Sequence, residues 1–414
     1  SNPMTEAPLS HIRPPLRIAI IGDRGIPARY SGFSTLVEEL ATGLVRDHGM
    51  DVTVYCRNQY YEEHVPTFRG VHCRYLPAPG GKSFESIVHS NLAVLDAAVR
   101  GFDLVFVVDP GNGPFIFPLL LRGIPVLIHT DGLGWQRRKW SPLQQRYYRW
   151  SERVSARLST WLVTDSRAMQ RYYAQQYGAG STYIPYSGAV GDEPDISALA
   201  RYGVTPGDYY LVVARMEPEN NVDHIIREYR ASGLTRPLVV VGSVPYESDY
   251  ARAIAAEDDG QVRCVGGVFE SGALNALYRH CTAYLHGHEV GGTNPSLLRA
   301  MHWGAPCVPI DVVFHRENVG EDNPYFSKTP GHLAAILRDL DAAPERCAAL
   351  GQAAQNHAAT TFRWDAVVDG YAKLFRKLIQ LKKTGVRPSP SNVGETYHPE
   401  RFVAPSPTAM AEAS

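Results

Sequence analysis

Long apolar runs are missing from this 414-residue chain: nowhere do about 18 apolar residues follow one another, the length a membrane-spanning helix needs. An excess of one charge sign is missing as well. With 41 Lys and Arg against 42 Asp and Glu, the formal net charge is -1, which makes bulk nucleic-acid binding a poor expectation and leaves only local basic patches open. Cysteine is sparse and scattered. Cys56, Cys73, Cys264, Cys281, Cys307 and Cys347 form no CxxC pair and mostly sit in apolar runs, so buried free thiols in a reducing cytosol are expected rather than disulfides or zinc. The first residues, SNPMTEAPLSHIRPP, have no signal-peptide core and read as a flexible leader, giving a cytoplasmic expectation that includes the inner face of the membrane. The first strand is not followed by GxGxxG, since DRGIPARYSG lacks that spacing, and a nicotinamide enzyme is therefore disfavoured. No DxD-like pair stands at a strand end; Glu257, Asp258 and Asp259 lie in a polar loop and read as solvated surface.

What the chain does contain is short β-branched runs alternating with amphipathic segments. Strands are expected at RIAIIG (17–22), DVTVYC (51–56), DLVFVV (103–108), PVLIHT (125–130) and WLVTD (161–165). After the Gly/Pro/Asp-rich SGAVGDEPD the pattern restarts with YYLVVA (209–214), PLVVVG (237–242), VRCVG (262–266), AYLHG (283–287) and PCVPI (306–310). Between the first strands, Leu36, Val37, Leu40 and Leu44 share a helix face with Glu38 and Glu39 outside. Two rounds of βαβ alternation predict an α/β protein of two Rossmann-like, doubly wound parallel-sheet domains facing a cleft, with ligands at the carboxyl ends of strands. The expected division is 15–190, 191–362, a helix in 363–383 returning to the first domain, and a Pro, Ser and Ala-rich tail, 384–414, without fixed structure.

The most informative stretch is HGHEVGGTNPSLLRAMHWG (286–304), which joins a strand end, a Gly-Gly loop and a helix start. Gly291 and Gly292 leave backbone amides uncovered, Asn294 suits an N-cap and Pro295 the first turn, where its missing N–H costs nothing. First-turn amides and the helix dipole then point at the loop, a cradle for a diphosphate. An ordinary βα turn is the plainer alternative.

Four motifs in this order, RIAIIGDRGIPARYSGFSTLVEEL, RMEPENN (215–221), HGHEVGGTNPSLLRAM and FRWDAVVDGYAKLF, spread over about residues 15 to 380. Together they resemble glycosyltransferase family 4, and more narrowly its bacterial rhamnosyltransferase-like subgroup, whose members carry GTRGIPARYGGFET and VGGTNPSLLEAM. The resemblance implies a GT-B fold, a nucleotide-sugar donor in the C-terminal domain, a hydroxyl acceptor in the N-terminal domain, retention at the anomeric carbon, and no cofactor or obligatory metal.

It implies site residues too. Arg215 stands where the family places a diphosphate-binding arginine, a job suited to a guanidinium fork, and Asn220 where many members have a lysine. Val268 and Phe269 end the strand that holds the nucleotide base, and Gly291, Gly292, Thr293 and Asn294 make the donor loop. Arg29, Tyr30 and Gly32, in the loop after the first strand, and Arg137, in a basic edge with Arg138 and Lys139 beside Trp135 and Trp140, are placed toward the acceptor, with a membrane surface as another use of that edge. Asp131 or His129 falls near the reacting sugar, where a carboxylate stabilises developing positive charge; His129 also reads as a satisfied strand-end histidine.

The chain departs from the family in three places. Arg299 replaces the glutamate of LLEAM that pairs with the ribose hydroxyls, and Gly291 takes the place of its partner glutamate. Glu289, two residues earlier, is a candidate partial substitute. Ser34 replaces the glutamate of GGFET. The resulting expectation is a retaining glycosyltransferase that moves a sugar, such as the deoxysugar rhamnose, from a nucleoside diphosphate to a glycan, lipid-linked or natural-product hydroxyl in polysaccharide or antibiotic biosynthesis. A sugar-nucleotide epimerase of the same fold and a non-catalytic nucleotide-sugar-binding subunit are the alternatives.

Overall fold

Alternation of apolar strands with one-sided helices produces two α/β domains in the computed structural model, which describes residues 13–28, 32–130, 141–244, 246–290 and 292–404. The first domain runs β1 (Arg17–Ile21), α1 (Gly32–His48), β2 (Asp51–Arg57), β3 (Thr67–Phe68), β4 (Val71–Leu76), α2 (Gly81–Ala98), β5 (Leu104–Val108), α3 (Phe117–Leu121), β6 (Val126–His129), α4 (Pro142–Leu158), β7 (Trp161–Thr164), α5 (Arg167–Tyr177) and β8 (Ser181–Tyr183). The second runs β9 (Tyr210–Val213), α6 (Val222–Ser232), β10 (Leu238–Val241), α7 (Asp249–Ala255), β11 (Val262–Gly266), α8 (Ser271–His280), β12 (Ala283–His286), α9 (Pro295–His302), β13 (Cys307–Pro309), α10 (Val313–Val319), α11 (His332–Asp341) and α12 (Pro344–Thr361). Two further helices, α13 (Trp364–Lys383) and α14 (Pro390–Val393), follow.

The sheet orders are β3-β4-β2-β1-β5-β6-β7-β8 and β11-β10-β9-β12-β13. Every pairing is parallel except that of the two-residue edge strand β3 with β4. In each sheet the chain winds outward in one direction from a central strand and then returns to that strand's other side. The reversal falls between β1 and β5 in the first sheet and between β9 and β12 in the second, and leaves a crevice at the carboxyl ends of those strands.

Both faces of the first sheet are covered. Ala19, Ile21, Val105 and Val107 point into a core with Ala93 and Ala97 of α2, Leu119 of α3, and Met169 and Tyr173 of α5. Ile18, Ile20 and Phe106 point the other way, toward Leu36, Val37 and Leu40 of α1 and Tyr371 and Phe375 of α13. Helix α13 thus leaves the second domain and packs on the first. The crossing with α1 is tight: a Cβ at Gly43 would lie 2.8 Å from Cγ2 of Val368, so the small residue is what lets the two helices meet.

Three features differ from the sequence expectation. β4 and β8 were not anticipated, because VHCRYL alternates with polar residues on a half-exposed edge and β8 is three residues long. The tail is ordered through residue 404 rather than lacking structure from 384. Ser389 closes a capping box on α14, Val393 and Tyr397 are buried, and Glu395 pairs with Arg167 at 2.8 Å. Composition misled here because Val393 and Tyr397 find packing partners, Tyr397 against Tyr183 among them. Residues 405–414 lie outside the described residues.

Candidate active site

The crevice between β9 and β12 gathers most of the expected donor residues. β9 runs into Arg215, whose side chain is 53% exposed and whose nearest carboxylate, that of Glu217, stands 4.0 Å away. β12 runs into the loop that precedes α9. A Cβ at Gly287 would sit 2.4 Å from the Asn220 carbonyl oxygen, so only glycine lets the two loops approach. Gly292 takes a left-handed φ of +87° and is buried. Asn294 caps α9 by accepting from the Ser296 N–H at 2.8 Å, with Pro295 next in the chain, so the motif folds as its residue types dictate. Gly291 lies outside the described residues.

Asn220 is buried and fully engaged. Its Nδ2 donates to the Arg215 carbonyl at 2.8 Å and its Oδ1 meets Nδ1 of His288 at 2.7 Å, so it ties the β9 loop to the β12 loop. Glu289 is engaged as well: its N–H donates to the Glu219 carbonyl and its carboxylate pairs with Lys328 at 2.7 Å. Just past the end of β11, Val268 is partly buried while Phe269 is 84% exposed.

Arg299 reaches across to α8. It is half-buried, its Nε donates to Oδ1 of Asn275 at 2.7 Å, and its guanidinium lies 5.9 Å from the centre of the Tyr278 ring. Asn275 in turn donates to the carbonyls of Val190 and Asp192, in the segment linking the domains. The longer reach of arginine and the waiting amide oxygen on α8 draw the side chain sideways. Burial holds its pKa below the ordinary value, and it has no carboxylate partner among the described residues.

Beneath the loop runs a buried polar chain that sequence reasoning missed. Ser296 meets the hydroxyls of Tyr278 (2.6 Å) and Tyr284 (2.7 Å), and Tyr284 meets Nδ1 of His286 at 2.8 Å. Nε2 of His286 has no partner among the described residues, and burial pushes that imidazole well below its usual pKa. His315, with its ring centre 4.9 Å from that of His286, donates from Nε2 to the His288 carbonyl at 2.6 Å, and burial lowers its pKa to about 4. Both rings are therefore neutral near pH 7. A strand tyrosine ordinarily reads as core, and only Ser296, two residues after an N-cap, carried a local signal.

The loop also touches the opposite domain. Thr293 Oγ1 donates to the Asp165 carbonyl at 3.0 Å, and Asn318 Nδ2 donates to Thr293 Oγ1 at 3.2 Å. Next to Asn318, the Glu317 carboxylate accepts from the Arg167 and Ala168 N–H groups that open α5.

In the first domain, Gly32 heads α1. Asp23, just past β1, accepts from Ser34 Oγ at 3.0 Å and from the Gly25 N–H at 3.3 Å, and burial raises its pKa. Ser34 thus donates to a carboxylate supplied from just past the end of β1. His129 has no accessible surface. It is packed against Phe33, Phe106 and Tyr186, with Nδ1 unpartnered among the described residues and burial lowering its pKa to about 3. Arg29, Tyr30, Asp131 and Arg137 lie outside the described residues.

Two facing parallel-sheet α/β domains, with a helix returning from the second to the first, define a GT-B fold. Residues 207–341 match the family described as Glycosyl transferases group 1, and residues 16–189 match a Domain of unknown function (DUF1972). The sucrose-phosphate synthase (tll1590) from Thermosynechococcus elongatus is similar in structure, with a TM-score of 0.75 at 19% identity over 88% of this chain and 99% of the other. Anabaena Alr3699/HepE in complex with UDP-glucose gives 0.67 at 16% identity over 89% and 100%. The α,α-trehalose 6-phosphate synthase from Burkholderia multivorans gives 0.66 at 12% over 91% and 99%. No curated protein sequence matches the chain.

Proposed function

We propose that the protein is a retaining glycosyltransferase that takes its sugar from a nucleoside diphosphate bound between β9 and β12 and transfers it to a hydroxyl presented by the first domain. The observation that carries this reading is the pairing of an exposed, weakly partnered Arg215 with the capped start of α9 across one crevice. A leaving diphosphate develops negative charge as the glycosidic bond breaks. Guanidinium N–H groups and first-turn amides aimed at it stabilise that charge without reorganising. The presence of UDP-glucose in the similar Anabaena structure supports a nucleotide-sugar donor.

In this reading Arg215, Gly291, Gly292, Thr293 and Asn294 hold the diphosphate, Val268 and Phe269 the base, and Asp131 is the carboxylate near the anomeric carbon. Arg29, Tyr30, Gly32 and Arg137 face the acceptor. Asn220 acts through His288 and the Arg215 carbonyl as a positioning residue, and Arg299 changes the ribose contact: a guanidinium only donates, whereas the family's glutamate accepts from both hydroxyls. Glu289 is held back by Lys328. Rhamnose as the sugar and polysaccharide or antibiotic biosynthesis as the setting come from the resemblance of the motifs alone.

The lost ribose-binding glutamate favours a second reading, a nucleotide-sugar-binding subunit without turnover; an epimerase of the same fold is a third. Incubation with UDP- and dTDP-sugars separates them. Nucleoside diphosphate release with sugar passed to water supports the transferase, an isomerised sugar nucleotide the epimerase, and thermal stabilisation without product the binding subunit.

A further inference from the structure

The loops that follow β9 and β10 are held together beside Arg215. A Cβ at Gly242, just past β10, would come within 1.6 Å of the Ala214 carbonyl oxygen and 2.9 Å of Cε of Met216, so only glycine lets the β10 loop pass that close to the β9 loop. Four residues further on, and two before Ser248, the N-cap of α7, Tyr246 turns back onto the β9 loop. Its hydroxyl donates to Oε1 of Glu217 at 2.6 Å. Glu217 is buried, and the same oxygen is the one that stands 4.0 Å from Nη2 of Arg215. The Arg215 backbone, by contrast, is fixed: its carbonyl accepts from the Glu217 N–H and from Nδ2 of Asn220, both at 2.8 Å. A phenol, a carboxylate and a guanidinium therefore follow one another in space, with the first two in hydrogen-bond contact and the third held short of it.

A carboxylate beside an arginine ordinarily draws the guanidinium into a two-pronged pair at about 2.8 Å, which would use up the N–H groups a phosphate needs. Here the Tyr246 hydroxyl occupies Oε1 instead, in the short O–H···O⁻ bond typical of an ionised acceptor. Burial, and after it the Glu217 carboxylate, pushes the phenol up to about 12, so it stays a donor through the neutral range. We infer that Tyr246 is a positioning residue for the donor: by engaging Glu217 it keeps the Arg215 guanidinium open to the diphosphate. This rests on the reading of Arg215 as a diphosphate ligand and adds the residue that keeps that arginine available. The effect passes through one carboxylate oxygen and requires no contact between Tyr246 and the nucleotide.

The test is calorimetric titration of the full chain with UDP in Tyr246→Phe, Glu217→Gln, the two combined, Arg215→Ala, and Arg215→Ala with Tyr246→Phe, with circular dichroism and urea denaturation to verify the fold. Tyr246→Phe keeps the ring and frees Glu217 to close on Arg215, so UDP should bind ~10-fold more weakly, the scale of one hydrogen bond. Adding Glu217→Gln, whose amide cannot form the ion pair, should restore affinity to within about twofold. Glu217→Gln alone should bind UDP at least as tightly as the native chain. With Arg215 already replaced by alanine, Tyr246→Phe should cost nothing further, because the path it acts through is gone. An equal loss in both backgrounds would mean that the phenol touches the nucleotide or merely supports the fold, and overturns the inference. Failure of Glu217→Gln to rescue, or weaker binding by Glu217→Gln alone, overturns it equally. Unchanged affinity in Tyr246→Phe beside a loss in Arg215→Ala rejects the role of Tyr246 and leaves the donor site standing, whereas unchanged affinity in Arg215→Ala rejects both.

Discussion

Removing the Arg215 guanidinium is the most direct test of how the diphosphate is held. The side chain is 53% exposed, and its one nearby carboxylate is 4.0 Å away, at the limit of an ion pair. Little of its hydrogen-bonding capacity is used within the protein, so nearly all of it is available to a ligand. A charge-assisted hydrogen bond contributes roughly 1.5 to 3 kcal/mol, so Arg215→Ala should weaken nucleoside diphosphate binding by about 10- to 150-fold. The fold should be retained, because Glu217, the buried carboxylate that loses its distant ion pair, keeps the Tyr246 hydroxyl at 2.6 Å. Arg215→Lys should fall between the two, keeping the charge and losing the fork. Calorimetric titration with UDP and dTDP, beside a urea denaturation curve, measures both quantities. Unchanged affinity in the alanine variant, with the fold intact, would refute the assignment and move the diphosphate away from β9.

Three other outcomes follow from the same geometry. Phe269→Ala should cost about 1 to 3 kcal/mol of nucleotide affinity, the range for a base stacked on an aromatic face, and leave inorganic pyrophosphate binding unchanged; equal losses for both ligands would remove the base from β11. Arg299→Ala leaves the buried Asn275 oxygen without its donor and should destabilise the second domain by about 1 to 3 kcal/mol in urea, while Arg299→Glu should shift preference from dTDP toward UDP by about 1 kcal/mol, and an unchanged ratio would end the selectivity argument. His129 sets a pH dependence. Its folded pKa of about 3 lies below the usual 6.5, so the unfolded chain binds the proton first and stability falls as pH drops below about 6.5. Between pH 7 and pH 5 this group should cost about 2 kcal/mol, and His129→Phe should remove that share of the acid sensitivity; equal slopes in the two proteins would contradict it.

The second domain was the more legible half. AYLHG, the Gly-Gly loop, Asn294 and Pro295 each state a local conformation in their residue type, and α9 starts where they say. What the sequence hid was long-range. Arg299 turns sideways because Asn275, 24 residues away, offers an acceptor, and no local pattern announces that pairing. Asn220 and Glu289 read as free ligands in sequence but are committed to His288 and Lys328 by contacts across loops. Asp23 went unnoticed because a lone acid after a strand looks like any turn residue until Ser34 closes on it. The tail failed for a different reason: composition averages over a segment, whereas Val393 and Tyr397 anchor it individually.

Amide hydrogen exchange of the full chain, with and without saturating UDP, addresses the central claim most directly. A diphosphate seated between β9 and β12 should slow exchange in two separate stretches, about residues 287–298 and 215–221, because the first-turn amides of α9 become donors to phosphate and Arg215 closes over it. Protection confined to the first domain, or a UDP complex that leaves the start of α9 exchanging as before, would contradict the account.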